Sequence, residues 1–393
     1  MRPVSTRLRA SLKASSFTES AMTEMNRLAV VHDAISLGEG SPDFPALQEL
    51  KEAAARAIAD DHNQYPVTRG VPAFREAIAA KYARDYGMSV DPESEVCVTC
   101  GSTEAMIAAF LGVLDPGDEV VVFEPFYENY APDSVLAGAS RRFVTLRPPD
   151  WTFDGDELRA AFSAKTRAIV VNSPHNPTGK VFTREELGAI AELCLEHDAI
   201  AVTDEIYEHI VYDGREHVPI ATLEGMGDRT VTISALSKTY SVTGWRVGWA
   251  IASEPLMRGI RATHDFLTVA APTPLQVAGI TALGLPSAYY EEMRRDYAER
   301  RELMMSILAD VGLAAAPPEG AYYVMADVTP LGFTDDMDAA LALVEQGVAT
   351  VPGSAFFSVP QLGHHLLRFA FCKKLETLRV AGDRLRGAGF PSE

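Results

Sequence analysis

The stretch SALSKTYSVTGWRVGW, residues 234–249, sets Lys238 eight residues ahead of Arg246 among apolar and small side chains. It overlaps the apolar run VTISAL (231–236), which reads as a buried strand. A lysine and an arginine placed this way suit a cofactor that needs a covalent amine anchor and a guanidinium for its phosphate. Pyridoxal 5'-phosphate (PLP) is such a cofactor: its aldehyde forms a Schiff base with a lysine and its phosphate takes an arginine fork. Alone, a lysine behind an apolar strand is more often a solvated cap.

Three further segments change that reading. Asp204-Glu205-Ile206-Tyr207 follows the apolar run 199–202. A carboxylate beside the pyridine nitrogen keeps that nitrogen protonated, which the ring needs as an electron sink, and Asp204 at a strand's carboxyl end fits the role. Tyr207 is placed to aim its hydroxyl at the ring's phenolic oxygen. The loop NSPHNPTG (172–179) surrounds Asn176 with two prolines and a glycine, which fix a non-helical turn and hold one amide rigidly as a second donor to that oxygen. Two such donors stabilise the phenolate and lower the basicity of the Schiff-base nitrogen. Gly179-Lys180 is not a phosphate loop, because Pro174 stands where a Walker sequence needs glycine. Finally, CGSTEA (100–105) turns a strand into a helix whose free N–H groups, positive dipole end, Ser102 and Thr103 all suit the phosphate that Arg246 faces. Each segment alone has an ordinary structural reading as a cap, a turn or a packed aromatic.

Together with EPFYENY (124–130) and the late LLRFAF (366–371), these segments resemble the class I aminotransferases of PLP fold type I, from about Ser36 to Leu378. Within that class, SLGEGSPDFP (36–45), NQYPVTRGVPAFREAIA (63–79) and VPGSAFF (351–357) are similar to the kynurenine/glutamine transaminase branch, with its methionine- and succinyldiaminopimelate-type enzymes. The resemblance implies that Lys238 is the Schiff-base lysine and the acid/base of the proton shift, with Asp204 the pyridine partner and Asn176 and Tyr207 the phenolic-oxygen donors. It implies that Tyr127 stacks on the ring, and that Ser102, Thr103, Ser237 and Arg246 hold the phosphate, with Tyr65 reaching it from a second subunit. It also implies that Arg368 grips the substrate's alpha-carboxylate, while Gly40 and Asn176 contact the same substrate. Ala235 departs from the family's usual Gly or Ser three residues before the lysine, which leaves Ser237 to supply a phosphate hydroxyl.

The length of 393 residues and the 47% apolar and 23% charged content suit a globular two-domain chain. The net charge of −19 argues against nucleic acid or an anionic membrane as a partner. The N-terminus carries Arg2, Arg7, Arg9 and Lys13 without the apolar core of a signal peptide, so a cytoplasmic location is expected. Four cysteines make no disulfide framework, the Cys97/Cys100 pair sits at strand spacing, and no metal site is expected; His364 and His365 read as a surface turn.

Strands near 96–99, 119–123, 168–171, 199–203, 230–235 and 247–251 alternate with helical patterns such as 185–197. The expected fold is therefore α/β, of the PLP-dependent transferase fold type I. A large domain at 46–289 carries a mostly parallel seven-stranded sheet between helices, and a smaller α+β domain comprises 1–45 and 290–393, with a charged helix at 293–310. The expected function is a PLP-dependent aminotransferase moving an amino group from an L-amino acid to a 2-oxo acid in a homodimer with shared sites. A cysteine-conjugate beta-lyase and a non-catalytic regulatory domain are the alternatives. With Thr103 where one related branch has a distal lysine, and with Phe44, Tyr127, His264 and Phe266 as pocket residues, neutral, aromatic or sulfur-containing donors are expected over aspartate. Arg69 is the remaining candidate cation.

Overall fold

The structure is a computed structural model that describes residues 10–17 and 20–387. Arg2, Arg7 and Arg9 of the basic N-terminus lie outside the described residues. The β-branched runs of the sequence form a seven-stranded sheet in the spatial order Val96–Thr99, Gly248–Ile251, Thr230–Ala235, Ile200–Asp204, Thr166–Asn172, Glu119–Glu124, Ser140–Thr145. Neighbours are parallel except that Gly248–Ile251 runs against both of its partners.

Strand side chains alternate between two faces, and the core divides accordingly. Val121, Phe123, Ile169, Val171 and Ala201 pack with Leu187, Ile190 and Cys194 of the Arg184–Glu196 helix. Their neighbours Val120, Val122, Ala168, Val170 and Val202 pack on the other side with Met106, Ala109 and Phe110 of the Gly101–Val113 helix and with Met257 and Ile260. The sheet is thus sandwiched by helices, as expected of fold type I. The Arg184–Glu196 helix starts at a capping box: Thr183 Oγ accepts from the Glu186 N–H at 3.1 Å, and the Glu186 carboxylate accepts from the Thr183 N–H at 2.9 Å.

A second, antiparallel sheet orders Val351–Pro352, Leu366–Ala370, Tyr323–Asp327 and Ala314–Ala315. Ile35–Ser36 pairs in parallel with Val348–Ala349, which ties the N-terminal segment to this layer. Two elements differ from the sequence reading. Ser140–Thr145 is a strand the pattern did not reveal, because this sheet-edge segment leaves most of SRRFVT at least partly open to solvent. The long charged helix begins earlier, at Ser287, because Tyr290 continues the buried stripe of Met293 and Tyr297 by another turn. Among the described residues no helix is long and apolar enough to cross a membrane, and the four cysteines are free.

Candidate active site

The parallel register puts Asn172 opposite Asp204, so the ends of two strands open into the same cleft, where open α/β sheets bind ligands. Asn172 works as a local clamp: its Nδ2 donates to the Asp204 carbonyl at 2.7 Å, and its Oδ1 accepts from the Asn176 N–H at 2.7 Å. The NPTG loop is thereby tied to the Asp204 strand. Asp204 is 7% exposed. Burial pushes its carboxyl up to about 6, against the pull of the Tyr130 hydroxyl, which donates to Oδ2 at 2.8 Å.

Beyond the Thr230–Ala235 strand the chain turns back at Ser237, and Lys238 points across the cleft to donate to the Gly40 carbonyl at 3.1 Å. Its Nζ lies 5.9 Å from the Tyr207 ring centre and 5.7 Å from that of Tyr322. Burial lowers the amine to about 8. Beside it, the Ser237 hydroxyl is buried and has no partner. Arg246 holds a left-handed backbone (φ 53°), from which its Nη1 donates to the Thr243 carbonyl at 3.0 Å and its Nη2 to Thr103 Oγ1 at 3.4 Å. Gly101 makes this approach possible, because a Cβ there would collide with the Arg246 guanidinium. Gly248 does the same for the helix start: its Cβ would lie 2.6 Å from the Ser102 nitrogen. A guanidinium, the Gly101–Val113 helix N-terminus, two hydroxyls in its first turn and the orphaned Ser237 hydroxyl make a polar cup that fits a phosphate.

Arg368 closes the opposite wall. It is fully buried in the Leu366–Ala370 strand, where Nη1 donates to Asn176 Oδ1 at 2.9 Å and Nη2 to the Gly38 carbonyl at 2.6 Å. Its guanidinium lies 4.4 Å from the Tyr323 ring, and its Nε has no partner. A buried guanidinium without a carboxylate partner is suited to an incoming one.

Eleven of the residues singled out in the sequence line one cleft of about 330 Å³: Gly40, Ser102, Thr103, Tyr127, Asn176, Asp204, Tyr207, Ser237, Lys238, Arg246 and Arg368. Tyr65 does not line it and is 83% exposed. Three suggested pocket residues also sit elsewhere. His264 is buried, bridging Glu104 at 2.7 Å and the Thr68 carbonyl at 2.8 Å. Phe266 is 95% exposed, and Phe44 lines a separate groove, its ring 4.6 Å from the Arg300 guanidinium. Arg69 is ion-paired with Glu93. The sequence reading passed over Met22, Tyr130 and Tyr323. Tyr130 stood inside the quoted EPFYENY, three residues after Tyr127 across a turn in which its N–H donates to the Tyr127 carbonyl at 3.2 Å; Met22 and Tyr323 carry no local signal. His364, read as a surface turn, comes together with Asp335 and Asp336, but both carboxylates already accept from backbone N–H groups of Met337, Asp338 and Ser354.

The sequence profile of aminotransferase class I and II matches residues 32–385. The chain is 41% identical to a probable N-succinyldiaminopimelate aminotransferase of Mycobacterium tuberculosis, over 94% of this chain and 96% of that one. The solved structure of the N-succinyldiaminopimelate aminotransferase from that organism superposes with a TM-score of 0.94 at 40% identity, covering 97% of this chain and all of the other. A methionine aminotransferase of Escherichia coli is 36% identical over 93% of this chain and 94% of its own, and the human kynurenine–oxoglutarate transaminase 1 is 35% identical over 92% and 94%.

Proposed function

The chain belongs to the class I and II aminotransferase family and is a PLP-dependent aminotransferase, and from that premise we propose that it takes neutral amino donors in sites shared between two copies. When bound, the cofactor supplies an electron sink that loosens the substrate's alpha proton, so that an amino group passes from an amino acid to a 2-oxo acid. Lys238 is the covalent anchor and, once released, the base that takes the alpha proton and returns it. An amine lowered to about 8 is partly unprotonated near neutral pH and so able to do both.

Asp204 would face the pyridine nitrogen, and Asn176 and Tyr207 would donate to the phenolic oxygen. Tyr127 would cover the ring. Ser102, Thr103, Ser237 and Arg246 would hold the phosphate, while Arg368 would take the alpha-carboxylate beside Gly40 and Asn176. The observation that carries this reading is the shared cleft: one lysine without a carboxylate partner, one strand-end aspartate and one buried arginine open into the same space.

The pairing of two copies is supported by the surface around Tyr65. The Gln64 carbonyl accepts from Thr273 Oγ1 at 2.7 Å and the Thr68 carbonyl from His264 at 2.8 Å, so the 64–68 loop lies against the 264–273 region. Tyr65, Val67, Phe266, Leu267 and Val269 are all exposed there, an apolar patch suited to a second copy. The partner subunit's Tyr65 would then reach the phosphate. The division into a large domain, 46–289, and a small one, 1–45 with 290–393, is supported by the separation of the seven-stranded sheet from the four-stranded one, and the four free thiols support a reducing, cytoplasmic location.

The relatives differ in the substrate their names carry, so the donor is argued from the cleft. Arg246 and Arg368 are assigned to the phosphate and the alpha-carboxylate, Arg69 is engaged by Glu93, and Glu39 adds an acidic residue to the lining. A second, distal carboxylate finds no cation among the described residues that line the cleft, and an unpaired buried charge costs several kcal/mol in effective terms, on the order of 10²-fold or more in rate. Single-turnover conversion of the loaded enzyme, followed by absorbance, is the test. Methionine, glutamine, kynurenine or an aromatic donor is expected to react faster than aspartate, and aspartate outrunning all of them tenfold would overturn the assignment.

A further inference from the structure

Tyr323 lies between the two halves of the site. It opens the Tyr323–Asp327 strand, is 3% exposed and lines the cleft. Its hydroxyl accepts from the Tyr207 hydroxyl at 3.1 Å, and its ring lies 4.4 Å from the Arg368 guanidinium. Gly40 leaves the room it needs, because a Cβ there would collide with the Tyr323 hydroxyl. Tyr322, the residue before it, is committed elsewhere, donating to the Gly40 carbonyl at 2.9 Å.

We propose that Tyr323 is a positioning residue for the transamination site, its hydroxyl aiming Tyr207 and its ring aiming Arg368. The inference rests on the reading of Tyr207 as a donor to the cofactor's phenolic oxygen and of Arg368 as the grip on the alpha-carboxylate. A phenol has one proton and two lone pairs. In the structure the Tyr207 O–H donates to the Tyr323 oxygen. With that O–H directed to a phenolic oxygen of the cofactor instead, the Tyr207 oxygen would be left as an acceptor, and the neighbouring Tyr323 hydroxyl would turn from acceptor to donor. A hydrogen bond received by Tyr207 makes it a stronger donor in turn. The Tyr323 ring acts separately: it covers one face of a guanidinium whose two Nη groups are already held by Asn176 and Gly38, and so fixes its plane.

The two roles are separable with Tyr323→Phe and Tyr323→Leu in the PLP-loaded full-length enzyme. The readouts are the pH midpoint of the bound cofactor's absorbance change and the KM for L-methionine. Losing the hydroxyl weakens the donors on the phenolic oxygen, so Tyr323→Phe is expected to raise the midpoint by about half a unit, roughly threefold in the proton equilibrium, with KM within about twofold of wild type. Tyr323→Leu is expected to add a KM increase of about fivefold. Because the hydroxyl works through Tyr207, the double variant Tyr207→Phe/Tyr323→Phe should show the midpoint of Tyr207→Phe alone. A Tyr323→Phe midpoint equal to wild type while Tyr207→Phe moves its own, or additive shifts in the double variant, overturns the proposal. An unmoved midpoint in Tyr207→Phe removes the reading of Tyr207 itself and the inference with it, whatever Tyr323→Phe shows.

Discussion

Lys238, half-buried at the cleft, and Lys81, buried on a helix, have opposite surroundings. Lys238 ends in the cleft with a backbone carbonyl as its partner, and burial lowers its amine to about 8. Lys81, 1% exposed on the Pro72–Tyr86 helix, donates to Glu208 Oε2 at 2.6 Å. Glu208 also accepts from Tyr86 at 2.6 Å and from Ser234 at 2.9 Å. Burial works to raise the Glu208 carboxyl, but Lys81 and the nearby histidines overcome it and hold it down at about 2. The difference teaches what makes a buried amine reactive: without a carboxylate it must give up its proton readily, and with one it becomes a fixed tie between a helix and the sheet.

The largest effect expected from breaking this contrast is at Lys238. Lys238→Ala should lose the covalently attached cofactor and at least 10²- to 10⁴-fold in rate, measured by absorbance and steady-state kinetics. Mixing those subunits with Tyr65→Phe subunits should restore one intact site per mixed dimer; mixtures without regained activity would show that the sites are not shared. Lys81→Met should instead leave the cofactor spectrum in place and cost about 3 kcal/mol or more of stability, because Glu208 is left buried without its cation. Adding Glu208→Gln should recover more than half of that loss in denaturant unfolding. If Lys81→Met and Lys238→Met destabilise equally, the contrast fails.

The smallest effect concerns pH. In the folded apoprotein Lys238 releases its proton near pH 8, and in the unfolded chain near the ordinary lysine value of about 10.4. Between those values the unfolded state binds more protons, so this group makes stability rise with pH, by at most ~1.4 kcal/mol per unit, and it contributes no slope below both values. Urea midpoints of the apoprotein at pH 8 and 9.5, wild type against Lys238→Met, should differ in slope with that sign.

Much of the cleft around Lys238 is legible in the sequence because most residues there, Arg246 excepted, stand at a strand's end or within a few positions of it. A run such as VTISAL or AIAVTD announces both the strand and where its last side chains emerge, so Lys238, Asp204 and Asn176 fall at the sheet's carboxyl edge once the strands are recognised. The substrate side is different. Arg368 meets Asn176 across 192 residues and Gly38 across 330, and nothing in LLRFAF announces either partner. His264 shows the same limit from the other direction: its neighbours in sequence suggested a pocket residue, and Glu104, 160 residues away, holds it in the core.

By itself the sequence determined the α/β class, most of the order of strands and helices, the spacing that sets Lys238 eight residues ahead of Arg246, and the family to which the chain belongs. Those are properties of short segments, carried by side-chain period, turn residues and spacing. Only the tertiary structure decided that Tyr130 holds Asp204, that Tyr323 joins Tyr207 to Arg368, that Lys81 is paired while Lys238 is not, and that Tyr65 stands outside its own chain's cleft. Each depends on which elements pack against one another, and a side chain's place along its own segment contains no information about the residue that will face it from another.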